Sequence, residues 1–128
     1  MFTPAAKPKT GNGVLTKQQA EGKAGEDEAF SYLVRQGLTL IERNFRCRGG
    51  EIDLVMQEGQ AIVFVEVRKR RNRLYGGAAA SVTAAKQARL ILAAQVFLQR
   101  YRNTPACRFD IVAIEQNDIA WLKNAFEA

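Results

Sequence analysis

Histidine is absent from all 128 residues of the chain. Its absence removes the commonest general base at neutral pH, the Ser-His-Asp and Cys-His nucleophile systems, and every histidine-containing metal site. Cysteine is scarce. Cys47 and Cys107 stand far apart and in no CxxC pair, so four soft ligands for a structural zinc cannot be assembled. One disulfide could join them, although two cysteines in this composition read more simply as buried, reduced thiols of a cytosolic protein. No apolar run approaches the ~20 residues of a membrane span, and the first residues lack the apolar segment of a secretory signal. The expectation is a soluble, cytoplasmic protein with no membrane partner. Any chemistry falls to carboxylates, lysine, arginine, hydroxyls or a carboxylate-bound metal.

What is present is ordinary globular material with a basic excess. Hydrophobic residues make up 47% and charged residues 25%, enough for one packed core but not two. Lys and Arg total 19 against 13 Asp and Glu, a formal charge of +6 that favours an anionic partner. Two of the three prolines fall within residues 1–15, among scattered lysines and no periodicity. This stretch reads as a flexible basic tail, and 16–128 as a single domain.

Apolar spacing predicts a helix over 16–36, stopped by Gly37, with Ala29, Phe30 and Leu33 as its buried stripe. Glu26 lies three and four residues before the first two of these, at the N-terminal end of the stripe, and Gly22 and Gly25 beside it permit close approach. A short strand over 38–41 leads into a basic stretch, followed by strands over 51–56 and 61–68. A turn at Glu58 and Gly59 joins those two. The second is apolar on both faces until its end, as a central strand is. A basic loop over 69–77 precedes a long helix over 81–102, ended by Pro105, with Leu90, Ile91, Ala94, Phe97, Leu98 and Tyr101 on one face. Strands over 109–114 and 119–122 complete the order αβββαββ. A strand, a long helix and a buried strand imply a right-handed parallel crossover, hence an α/β mixed β-sheet flanked by helices.

Strand alternation puts Asp53 with Glu51, and Glu66 with Phe64 and Arg68. A Glu58-Gly59 turn sets Glu51 opposite Glu66 and Asp53 opposite Phe64, making Asp53 and Glu66 diagonal neighbours roughly 7–8 Å apart by Cα. Three acidic groups on an apolar sheet repel one another and lose hydration, so something must compensate. Arg68 can do so by ion pairing, and so can Mg²⁺ or Mn²⁺, which take one or two carboxylates plus water and phosphate oxygens. A metal so placed activates water at a phosphoryl group, and Arg68 on the same side could stabilise the transition state. Both readings fit the spacing.

The set Gly22-x-x-Gly25-Glu26, Gly50-Glu-Ile-Asp-Leu-Val55, Phe64-Val-Glu-Val-Arg68, Lys86 and Arg108-Phe-Asp-Ile-Val112 resembles the bacterial YraN/UPF0102 family, from about Gly22 to Phe126. The resemblance implies a restriction-endonuclease-like, PD-(D/E)xK fold similar to that of archaeal Holliday junction resolvases. It also implies that Asp53 and Glu66 ligate Mg²⁺, with Glu26 completing the site or positioning water through it. Arg68 stands where that pattern has lysine. A guanidinium stays charged, so it could orient water or stabilise charge but not act as a base.

Arg46, Arg48, Lys69, Arg70, Arg71 and Arg73 flank the carboxylates, and Lys86 opens the second long helix. These cations suit a DNA or RNA backbone, and nothing among them reads base edges. A solvated basic loop is the plainer account of the run. Tyr75 and the Gly76-Gly77 pair are weaker signals for stacking and phosphate cradling. Asp110, on a buried strand, reads as structural. The leading expectation is a nucleic-acid-binding, metal-dependent endonuclease hydrolysing phosphodiester bonds, branched DNA included. The alternatives are a non-catalytic nucleic-acid-binding module with a degenerate nuclease site and a protein-interaction scaffold. A homodimer is attractive by analogy with resolvases that cut two strands symmetrically.

Overall fold

The computed structural model describes residues 16–70 and 81–128. The tail expected over 1–15, and Arg71, Arg73, Tyr75 and the Gly76-Gly77 pair, lie outside the described residues. The elements are α1 (Lys17–Arg35), β1 (Thr39–Cys47), β2 (Gly50–Glu58), β3 (Ala61–Arg70), α2 (Ala84–Leu98), β4 (Cys107–Glu115) and β5 (Asp118–Phe126). They reproduce the expected order as an α/β protein with one five-stranded mixed sheet.

Each helix begins at a threonine. Thr16 and Gln19 form a capping box on α1, each side chain bonding the other's backbone N–H at 3.0 and 2.9 Å. Thr83 accepts from the Lys86 N–H at α2. Gly37, at φ +100°, follows the end of α1 in a conformation that glycine adopts without penalty. The helix expected over 81–102 is shorter. It stops at Leu98, well before Pro105, just after Phe97 has seated in the core.

The strands lie in the order β1-β2-β3-β4-β5, with β3 and β4 parallel and the other neighbours antiparallel. The β3–α2–β4 unit is therefore the expected parallel crossover. One face carries Ile62, Phe64, Val55 and Ile52 against Leu90, Ala93, Ala94 and Phe97 of α2. The other carries Leu54, Met56, Val63 and Val65 against Ala29 and Leu33 of α1. At ~25 cal/mol per Å² of buried apolar surface, these two layers are what hold the sheet between the helices. Phe97 meets Phe45 and Phe64 edge-on at 5.3 and 5.8 Å, tying α2 to β1 and β3 through one side chain.

Two expectations about the strands are corrected. The short strand over 38–41 is instead nine residues long, so Arg43 and Arg46 lie on β1 itself rather than in a loop after it. The hairpin turn falls at Gly59 and Gln60, not Glu58 and Gly59. Glu58 pairs with Ala61, and Val55 with Phe64. Gly59 takes φ +59°, a conformation that glycine adopts without penalty in a tight hairpin turn. Glu51 consequently does not face Glu66. It pairs with Arg46 on β1 instead. The cysteines are both free, but neither is buried as expected: Cys47 is half-buried and Cys107 exposed.

Candidate functional site

The corrected register brings Asp53 and Glu66 close together just past the last pair of the β2–β3 ladder. The β2–β3 ladder runs from Glu58↔Ala61 to Leu54↔Val65, and Asp53 and Glu66 are the next residues on their strands. Alternation fails at that step. Ile52 and Val55 both pack on the α2 side, while Leu54 points to α1. The same slip occurs on β1, where Arg43 reaches α1 and Phe45 reaches Phe97. Between them Asn44 adopts φ +53°, a left-handed conformation that asparagine tolerates better than most residues. The paired irregularity at Asn44 and Asp53 turns the aspartate out of the two-sided pattern. Its Oδ2 accepts the Val67 N–H at 2.9 Å, taking the place of a ladder bond.

The two carboxyl groups lie within hydrogen-bonding reach of each other. Burial pushes both upward, Glu66 to about 8, with repulsion from Asp53 adding to the effect and Arg68 and Lys86 opposing it. Both shifts disfavour two negative charges side by side in this buried place. Arg68 approaches Glu66 at 3.7 Å while its Nε donates to the Ser81 hydroxyl at 2.8 Å, just ahead of α2.

A cleft of about 920 Å³ opens over this pair at the C-terminal end of β3, where ligands of parallel-strand units characteristically bind. Its walls include Gly22, Gly25 and Glu26 of α1, Lys69 of β3, and Lys86 and Arg89 of α2. Gly25 is buried, and the Lys69 side chain packs so closely on it that a Cβ there would stand 3.2 Å away. Lys86, in the first turn of α2, lines the cleft and its charge acts on Glu66.

Glu26 lines the cleft, but Arg43 and Asn44 already hold it. Its Oε1 accepts from Arg43 Nη2 at 2.8 Å, Arg43 Nε at 3.1 Å and Asn44 Nδ2 at 3.0 Å. Among the described residues no group of three His, Cys, Asp or Glu side chains is arranged to hold a metal. The chemistry of the pair nevertheless fits a hard divalent cation. Mg²⁺ needs only one or two carboxylates when waters and phosphate oxygens complete its shell, and two buried acids with raised affinity for protons are relieved by such an ion.

The basic residues distribute unevenly. Arg46 lines the cleft and pairs with Glu51 at 3.3 Å, both side chains well exposed. Lys69 lines it too, paired with Glu28 at 3.1 Å. Arg48 sits exposed in the β1–β2 turn and is not part of the wall. Arg70 ends β3. Arg89 went unremarked in the sequence, although it follows Lys86 by three residues and therefore shares its side of the helix. Asp110 is structural, as expected. It is fully buried, paired with Arg108 at 2.9 Å, and accepts from Trp121 Nε1 and the Asn124 N–H at 2.9 Å each.

No helix among the described residues is long and apolar enough to cross a membrane. The model of Uncharacterised protein family UPF0102 matches residues 25–114. A UPF0102 protein of Herminiimonas arsenicoxydans is 65% identical over 113 residues, covering 88% of this chain and 91% of its own. One from Janthinobacterium sp. (strain Marseille) is 61% identical over 113 residues, with 88% and 92% covered. One from Methylibium petroleiphilum is 52% identical over 121 residues, with 89% and 99% covered. The matched span runs from the cleft wall of α1 through the carboxylate pair and α2 into β4, and the chain belongs to the UPF0102 family.

Proposed function

We propose that this is a cytoplasmic, nucleic-acid-binding protein that hydrolyses phosphodiester bonds with the help of Mg²⁺ or Mn²⁺, on a restriction-endonuclease-like form of the α/β fold. The observation that carries the reading is the closeness of Asp53 and Glu66 in a cleft whose rim supplies Arg68, Lys86 and Arg89. Asp53 and Glu66 would hold the cation. When bound, it supplies Lewis-acid activation of water and offsets charge at the phosphoryl group. Arg68, fixed by Ser81, faces the same space and stabilises developing negative charge there without exchanging a proton. Lys86 attracts the phosphate. Glu26, clamped by Arg43 and Asn44, orients water at the cleft wall rather than ligating the ion directly. DNA or RNA backbone is the anionic partner that the charge of +6 favours.

The test is a gel assay of the purified protein with Mn²⁺, on labelled duplex, single-stranded, flap and four-way-junction DNA and matching RNA. Wild type should cut at least one substrate and Glu66→Ala none. Equal cutting by both would remove the pair from the reaction. A second reading, a binding module without turnover, draws on the Arg68 guanidinium engaged with both Glu66 and Ser81. Shifted but uncut bands in both proteins support it, and a gain of cutting in Arg68→Lys would mark a degraded catalytic site.

A further inference from the structure

Beside the main cleft lies a second hollow of about 420 Å³, lined by Arg46, Cys47, Gly49, Gly50, Glu51 and Arg89. Arg46, Glu51 and Arg89 line both spaces. We infer that Arg89 and Arg46, above the bare Gly49–Gly50 backbone, form a second phosphate subsite that holds the nucleic-acid strand one step away from the Asp53–Glu66 pair. The inference rests on the nucleic-acid reading above and adds to it a residue and a place.

The geometry is enforced. A Cβ on Gly50 would come within 2.3 Å of the Arg89 carbonyl oxygen, and one on Gly49 within 2.9 Å of Leu92. Only glycine lets the β1–β2 turn press this closely on α2, and that closeness sets the Arg89 backbone directly above the turn. Gly49 and Gly50 bring no side chains to the hollow, so their part of its wall is backbone. Arg89 is exposed, and among the described residues its guanidinium has no ion-pair or hydrogen-bond partner. A free cation at the rim of a cleft loses nothing when it takes an anion. Among the described residues Arg46 is ion-paired with Glu51 alone, at 3.3 Å and in full view of solvent, a pairing worth little that a phosphate can replace. Lys86 sits three residues before Arg89, about 4.5 Å back along the helix, and its charge acts on Glu66. The cations thus lead outward from the carboxylates, Lys86 first, then Arg89 with Arg46, as a strand crossing the site would need. Glu51 is the one acid in the hollow and opposes the anion.

The test is the salt dependence of binding, measured by fluorescence anisotropy with a labelled single-stranded 20-mer and the matching duplex. It uses the full chain in EDTA, so that cutting does not intervene. Each phosphate contact contributes about 0.7 to the slope of log K against log[salt] for single strands and about 0.9 for duplex. Arg89→Ala should therefore lower the slope by close to one contact and weaken binding roughly 5- to 8-fold at 0.1 M salt. Glu51→Gln should strengthen binding. Arg102→Ala, which removes the same charge from an exposed position before β4, should leave the slope unchanged. Equal slopes for wild type, Arg89→Ala and Arg102→Ala, with binding intact, would overturn the subsite while leaving the nucleic-acid reading standing. Wild-type protein that binds neither probe would overturn both.

Discussion

Asp53 and Asp110 perform the same local task with different surroundings. Each carboxylate accepts a backbone N–H where the sheet is irregular, Val67 for Asp53 and Asn124 for Asp110. Asp110 is then fully compensated by the Arg108 fork and the Trp121 indole. Asp53 has instead a second carboxyl group beside it. Asp110→Asn should thus destabilise the protein by about 1–3 kcal/mol, since it weakens the charge-assisted hydrogen bonds from Arg108, which among the described residues keeps only its ion pair with Glu58, and chemical denaturation measures this. Asp53→Asn should do the opposite in EDTA above pH 7, because it removes a repulsive partner. The sign follows from linkage. Glu66 ionises at about 8 in the folded chain, far above its ordinary value, so its contribution is complete at acid pH and is lost as pH rises toward 8. Metal-free protein should lose on the order of 3 kcal/mol of stability between about pH 5 and 8. Glu66→Gln should flatten most of that slope in denaturation curves taken across the range.

At the scale of elements, the glycine pair between β1 and β2 and the asparagine within β1 shape the cleft. Gly50→Ala pushes the turn away from the Arg89 carbonyl, with an expected loss of roughly 1–3 kcal/mol in thermal or chemical unfolding. If the loss stays below 0.5 kcal/mol, the turn is not held against α2 as described. Much of this level was legible beforehand. Thr16 and Gly37 marked the ends of α1, the apolar run of β3 marked a central strand, and the α2 stripe marked its buried face. The register was not. One residue of error at the hairpin set Glu51 opposite Glu66 and Asp53 opposite Phe64, because Glu-Gly and Gly-Gln are both acceptable turn centres and only packing decides between them. The flip at Asn44 was also invisible, since it depends on two strands slipping together and neither slip has a sequence signature of its own. Arg43 was passed over for the same reason: on a longer β1 it reaches Glu26, whereas in a loop it would not.

For the molecule as a whole, the two ends of the sheet are chemically distinct. Around the β2–β3 turn, Glu58, Arg108 and Asp110 close a compensated network, with the Arg108–Glu58 pair at 2.8 Å. The other end opens as the cleft, where Asp53 and Glu66 lie at the centre and Arg46, Lys69, Lys86 and Arg89 along the walls. That polarity is what a site for a divalent ion and a phosphate backbone requires, and a net charge of +6 supplies the long-range attraction. The residue types were readable from the chain, but their division between a closed end and an open end needed the three-dimensional sheet. The most direct measurement is a calorimetric titration of Mn²⁺ into wild type and Asp53→Asn at pH 7, in two buffers of different ionisation heat. Wild type should bind one ion with release of about one proton, the one Glu66 holds at pH 7, and Asp53→Asn should bind none. Identical binding by both proteins, or binding by wild type without proton release, would contradict the account.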